Sequence, residues 1–342
     1  MELGKILITA ANAILPIILL ILFGYWLRRV NFISDDFAKT ANKFVFRVCL
    51  SCSLFINVYN IDDFASVQWD FVIYLVAAVT VLFLVGLAVA VCSTQQICRR
   101  GAILHASFRS NFAIIGLSLA SVLGGQAAET AAALAAAFIM PLYNIFGVIA
   151  LTVFSDAPGQ GKHSIKSALV SILKNPMIVG AIIGFVCLLI RELQKLLFGG
   201  VVFSIKENIP FVFTAVNNIK TITSPLALIV LGAQFKFSAV RGMLREISAG
   251  VVMRLILAPI ICVGGAILLT RYTNLLSCGV NEFPTMIALF GSPAAVSTAV
   301  MAAEMGSDEQ LATQIVVWSS IGSMLTIFLQ VCILMAMGFL PV

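Results

Sequence analysis

Charge is what this sequence has least of. Of 342 residues only 11% are Asp, Glu, Lys or Arg, against about a quarter in a water-soluble domain, and that shortage excludes a soluble globular protein as a class. Acid is scarcer than base, 15 residues against 21, and none of the fifteen falls in the middle of a long apolar stretch. A proton relay through a lipid-buried carboxylate therefore has no obvious carrier; Glu304, at the end of one stretch, comes nearest. Histidine occurs twice, as His105 and His163, and the eight cysteines show no paired spacing, the nearest two being Cys49 and Cys52 within one apolar run. No zinc site is expected from that set, and the thiols read as small buried apolar groups. Paired intramembrane aspartates, His-Glu-x-x-His and Gly-x-Ser-x-Gly are all missing, so no enzyme and no cofactor is expected. Gly161-Lys162 is no phosphate loop, because Asp156 stands where the first loop glycine belongs and His163 where Ser or Thr belongs. The repeated pore loop or charged ring of an ion channel is also missing.

Apolar residues make up 61% of the chain and the mean hydropathy is +1.08. A spanning helix needs roughly 20 mostly apolar residues. Ten such stretches lie near 6–27, 41–59, 70–93, 103–124, 129–154, 176–198, 210–234, 248–270, 282–305 and 310–336. Ala11-Asn12-Ala13 resembles a signal-peptidase site, but the apolar run continues to Leu27, which predicts an uncleaved first span. With the N-terminus outside, twelve of the 21 basic residues fall in inner loops and five outside, while Arg47, Arg109, Lys220 and Arg254 fall within spans. This positive-inside bias predicts both termini outside. It also accounts for the net charge of +6 through a lipid bilayer rather than a nucleic-acid partner.

The hydrophilic connection 155–168 divides two sets of five spans, 1–154 and 169–342, that echo each other. Pro16 and Gly24 are eight residues apart, as are Pro176 and Gly184; Asn111 precedes Gly124 by thirteen residues, as Pro293 precedes Gly306. An odd-numbered repeat in tandem inserts in opposite orientations, so the expected fold is an all-α membrane protein of two inverted five-helix repeats. Spans four and nine are the least helix-like. Pro293 removes a backbone donor and should break or kink span nine. Broken backbone at membrane depth survives only beside protein or a polar cavity, and the amides freed at a half-helix N-terminus attract an anion. Arg109 lies nine residues beyond Arg100, about 13 Å along a helix, directly before the break in span four. Arg47 and Arg254, nearer to basic loop ends, are expected to snorkel to the interface.

The order and spacing of Asn111-x4-Gly116, Pro225-Leu226-Ala227-Leu228, Pro293, Ala302-Ala303-Glu304-Met305-Gly306 and Ser319-Ser320 resemble those of the auxin efflux carrier family, which includes the plant PIN carriers and bacterial malonate or malate permease-type transporters. The resemblance runs over essentially the whole chain. It implies a scaffold bundle, a transport bundle whose crossing helices four and nine hold the substrate, and elevator-like alternating access. It further implies Asn111 near a ligand carboxylate, Pro293 as a crossover proline and Tyr143 as a pocket tyrosine, with Asn144 beside it and Ser297 following Pro293. Ser51, Ser118 and Thr298 stand where the family often carries proline, which points to a more polar ligand than an aromatic auxin. The expected substrate site is thus Ser51, Arg109, Asn111, Tyr143, Asn144, Pro293, Ser297 and Thr298.

The expected function is secondary transport of small organic anions, mono- or dicarboxylates, across the cell membrane, with H+ or Na+ as possible coupling ion or none, and a homodimer as a possible assembly. The alternatives are an ion channel or a receptor that binds without flux. The topology is directly testable: cysteines placed at Gln160 and Ser238 in a cysteine-free background react only from the cytoplasm, and one at Asp62 only from outside. Labelling of Asp62 and Gln160 from the same side defeats the arrangement.

Overall fold

Uninterrupted apolar sequence folds as helix because in lipid every backbone N–H and C=O needs an internal partner. The computed structural model describes residues 2–60, 68–155, 176–235, 240, 242–273, 275, 276, 278, 279 and 281–340. The linker beyond Ser155, the labelling positions Asp62, Gln160 and Ser238, and the Ser118 side chain lie outside the described residues. Among the described residues regular structure is helical apart from one isolated bridge. The helices are α1 (Glu2–Arg29), α2 (Asp35–Phe44), α3 (Leu50–Tyr59), α4 (Trp69–Ser93), α5 (Ile97–Phe108), α6 (Phe112–Val153), α7 (Pro176–Phe198), α8 (Ile205–Asn208), α9 (Pro210–Gln234), α10 (Leu244–Val252), α11 (Ala258–Tyr272), α12 (Glu282–Met286), α13 (Val296–Glu304) and α14 (Glu309–Ala336). π-helical turns at Val45–Cys49 and Met253–Leu257 join α2 to α3 and α10 to α11, and a third, Ile287–Gly291, extends α12.

Five stretches of helix are long and apolar enough to cross a membrane among the described residues: Trp69–Ser93, Ala127–Val153, Pro210–Gln234, Leu244–Tyr272 and Glu309–Ala336. Boundaries follow local chemistry. Ser34 caps α2 by accepting from Phe37 N at 3.1 Å, ahead of Asp35 and Asp36 in the first turn. Asp308 caps α14 by accepting from Leu311 N at 2.9 Å. Gly125 (φ 68°) divides α6 into two helices, and Gly306 (φ 74°) ends α13; both lie in the left-handed region that glycine enters without a Cβ clash.

The closest interfaces link α1, α3, α7 and α9. The largest helix–helix contacts are α3 with α7 and α1 with α9, and α3 also packs on α9. Both of those largest interfaces are made by glycine. A Cβ on Gly24 of α1 would collide with the Ile229 carbonyl of α9, and one on Gly232 of α9 with the Ile21 carbonyl of α1. Likewise Gly180 and Gly184 of α7 lie directly against the Ser51 and Phe55 carbonyls of α3. The glycines that echo each other in sequence, Gly24 and Gly184, thus do the same work at two different interfaces. Small residues permit such backbone approach, and dispersion over the close surfaces stabilises it.

Around this frame lie α4, α5, α6, α10 to α13 and α14. Their ends on one side are tied by Arg99 of α5, whose guanidinium reaches Glu246 of α10 at 2.9 Å and Asp308 at the start of α14 at 3.1 Å. Ser307 Oγ donates to Cys98 O at 2.6 Å at the same point. The acidic loop residue Asp308 is therefore held by a base. α9 begins at Pro210, which puts Lys220 about 15 Å inside that helix. Gly24→Val is expected to push α1 off α9 at a cost of about 1–3 kcal/mol, read as a lowered unfolding temperature in detergent; Gly184→Val should do the same at the α3–α7 interface, whereas Gly200→Val, with open space around it, should not.

Candidate functional site

Span four stops being helical at Arg109 (φ −85°, ψ 107°) and resumes at Phe112; span nine stops at Ser292 (φ −64°, ψ 151°) and resumes at Val296. The two extended pieces pair as an antiparallel bridge between Ser110 and Ala294, with Asn111 N donating to Pro293 O at 2.8 Å and Ala295 N donating to Arg109 O at 3.2 Å. The broken backbone thus satisfies itself across the crossing. Span four breaks here without a proline of its own. The local two-fold of the bridge matches Asn111 with Ala295 and Arg109 with Pro293, two residues out of step with the sequence match of Asn111 to Pro293. Ala294 N donates to Ser319 Oγ of α14 at 3.1 Å, which fixes the second piece from behind.

Arg254 does not snorkel. Its side chain is fully buried, and its guanidinium donates to five carbonyls: Ser107 and Phe108 at the end of α5 (3.4 and 3.2 Å), and Leu289, Phe290 and Ser292 at the end of the α12 half-helix (2.9, 2.7 and 2.9 Å). Those are carbonyls that lose their helical donors where the helices stop, and a forked guanidinium with five N–H groups is the one side chain able to meet all of them. Sequence reading missed this residue, although a signal existed. Arg254 lies nine residues beyond Arg245 just as Arg109 lies nine beyond Arg100.

Arg109 is buried too, wedged between α6 and α13, with Tyr143 O at 3.4 Å and Met301 Sδ at 3.5 Å as its hydrogen-bond partners among the described residues. No carboxylate lies within ion-pairing distance of Arg109 or Arg254 among the described residues, where the ion pairs include Arg28–Asp35, Arg99–Glu246, Arg99–Asp308 and Lys195–Glu192. The Tyr143 hydroxyl shares a hydrogen bond with Ser110 Oγ at 3.2 Å. Asn144 donates to Met140 O at 2.6 Å and leaves its Oδ1 unpartnered, as are Asn111 Nδ2 and Thr298 Oγ1, all three buried. Ser297, half-buried, opens the first turn of α13 beside Thr298. The structure therefore brings Arg109, Asn111, Tyr143 and Pro293 together through Ser110, Ala294 and Met301, with Asn144, Ser297 and Thr298 on the same helix segments. Ser51 stands apart in α3, where its hydroxyl donates to Arg47 O at 2.9 Å. Two N-termini face this crossing, those of α6 and α13, and neither Asn111 nor Ala295 caps its helix with a side chain.

A family model described as membrane transport protein matches residues 9–331. The chain belongs to that family, the family of the auxin efflux carriers. As a member of it, the protein is a multi-pass membrane transporter, and members of the membrane transport protein family are transporters rather than enzymes. A comparison with curated proteins returns no match.

The crossing depends on Ser319 as well as on Pro293. Ser319→Ala should leave the buried Ala294 N–H without its acceptor and cost about 1–3 kcal/mol, whereas Ser323→Ala, whose hydroxyl bonds only Ser320 O in its own helix, should cost under about 1 kcal/mol. Chemical or thermal unfolding of the two purified variants checks the difference.

Proposed function

We propose that this transporter carries small organic anions, mono- or dicarboxylates, across the cell membrane, bound where spans four and nine cross. The observation that carries the reading is the buried Arg109 guanidinium with no acidic partner among the described residues, next to Asn111 Nδ2, which is likewise unpartnered among them. Taking a guanidinium out of water costs several kcal/mol unless an opposite charge returns it, and each unpartnered buried polar atom costs about 1–3 kcal/mol more. A carboxylate bound there relieves both. It would accept from Arg109, Asn111 Nδ2 and Thr298 Oγ1, with the N-terminal amides of α6 and α13 adding partial positive charge. Tyr143, Asn144, Pro293 and Ser297 shape the same pocket, whereas Ser51, apart on α3, is left out of it. Hydrogen bonds and partial charges without a full cage of cations suit a carrier, which must release what it binds.

Ten spans in two inverted five-helix repeats, with both termini outside, underlie this reading. Its supports are the reciprocal interfaces of Gly24 and Gly184, α1 on α9 and α7 on α3, and the two-fold pairing of the two broken helices. An inverted repeat makes span one meet span seven as span six meets span two. Elevator-like movement follows from the division of labour: α1, α3, α7 and α9 pack as a frame, while the crossing sits in the helices around it and would move with them. Glycine-lined contacts within the frame keep it rigid.

Purified protein in proteoliposomes should take up members of a panel of mono- and dicarboxylates, tested with and without Na+, H+ and electrical gradients. Arg109→Gln should reduce that uptake at least tenfold with little change in the amount of folded protein, and Asn111→Ala should weaken binding by about 1–3 kcal/mol. Unchanged affinity and flux in both variants would move the pocket elsewhere, and binding without flux in the wild type would make the protein a receptor.

A further inference from the structure

Four helix ends meet at the crossing, and their polarities oppose one another. α6 and α13 present N-termini, while α5 and the α12 half-helix present C-termini. Each end carries about half an elementary charge. Left alone, two positive and two negative ends within one crossing would nearly cancel, and an anion would gain little by entering. The two C-termini together amount to about one negative charge, and a single positive charge lies on them. Arg254 spends all five of its N–H groups on carbonyls of those two ends and none elsewhere.

We infer that Arg254 is a positioning residue for the anion site: it neutralises both C-terminal ends at once, and so leaves the field of the two N-termini and Arg109 unopposed on the side where the anion binds. The inference rests on the anion reading above and adds to it the source of the site's sign. The π turn Met253–Leu257 serves this arrangement. It lies in the helix that packs behind both breaks and contains Arg254, whose side chain spans from Ser107 to Ser292. A π turn offsets the residues that follow it by part of a turn and is a common device at functional positions. Lysine could not substitute. Its ammonium has three donors at one point and cannot reach two helix ends together.

An electrostatic role differs from a purely structural one in how its loss depends on the charge of the bound molecule. Full-length protein in nanodiscs would be titrated with succinate, which carries two negative charges, and with succinamate, which has nearly the same size and one. Arg254→Gln should weaken binding by roughly tenfold for each negative charge on the probe, so that succinate loses about the square of the factor that succinamate loses. Arg254→Lys should fall between the wild type and the Gln variant for both probes. Equal losses for the two probes would make Arg254 a packing residue and overturn the proposal, as would no loss at all. Failure of both variants to fold would do the same, since it assigns the residue to folding alone. Wild-type protein that binds neither probe would count against the anion reading itself, and this inference falls with it.

Discussion

Backbone carbonyls at a helix end have nowhere to turn in hydrocarbon, and the structure is organised around that constraint. Two helices are interrupted in the interior of the protein, which releases donors and acceptors that water would satisfy in a soluble domain. Arg254 meets five of the acceptors. The bridge between Ser110 and Ala294 pairs the extended pieces with each other, and Ser319 takes up the Ala294 N–H. With these in place Asn111, Asn144 and Thr298 still carry buried polar atoms without a partner among the described residues, as do His105, Gln330 and a few others. The anion site proposed above draws on those of these atoms that the crossing itself leaves unpartnered.

Charge follows the same logic. Arg99, at the edge, is paired with two carboxylates, because beside water a fully paired cluster costs little and ties α5, α10 and α14 together. Arg109 and Arg254, deep inside, have no carboxylate near them among the described residues. One is solvated by carbonyl dipoles and the other is barely solvated at all. The difference separates a cation that holds structure from the one assigned to the ligand in the proposed function, although both are arginines buried in apolar helices.

Much of this was legible in the sequence, and the parts that were not share a cause. Long apolar runs announced helices, and Pro293 announced a break. The glycines Gly24 and Gly184 stood out because their spacing from proline repeats, and each proves to be a close-approach point. The break at Arg109–Asn111 could be located without proline from its polar cluster. Arg254 was misread because its partners are main-chain carbonyls, which every residue carries and which leave no mark on composition. The π turns escaped for the same reason, and the two-residue offset of the bridge came from pairing side-chain identities where the geometry pairs backbone atoms.

The placing of Arg254 also sets an order of events during synthesis. Its partners Ser107 and Phe108 precede it by about 146 residues, whereas Leu289 and Phe290 come 35 and 36 residues after it. At about 5–20 residues per second, the chain carries this arginine for several seconds after it is made, with only two of its five acceptors in existence. The first half of the protein must therefore already be assembled well enough to receive it, or the charge waits at the membrane surface until span nine emerges.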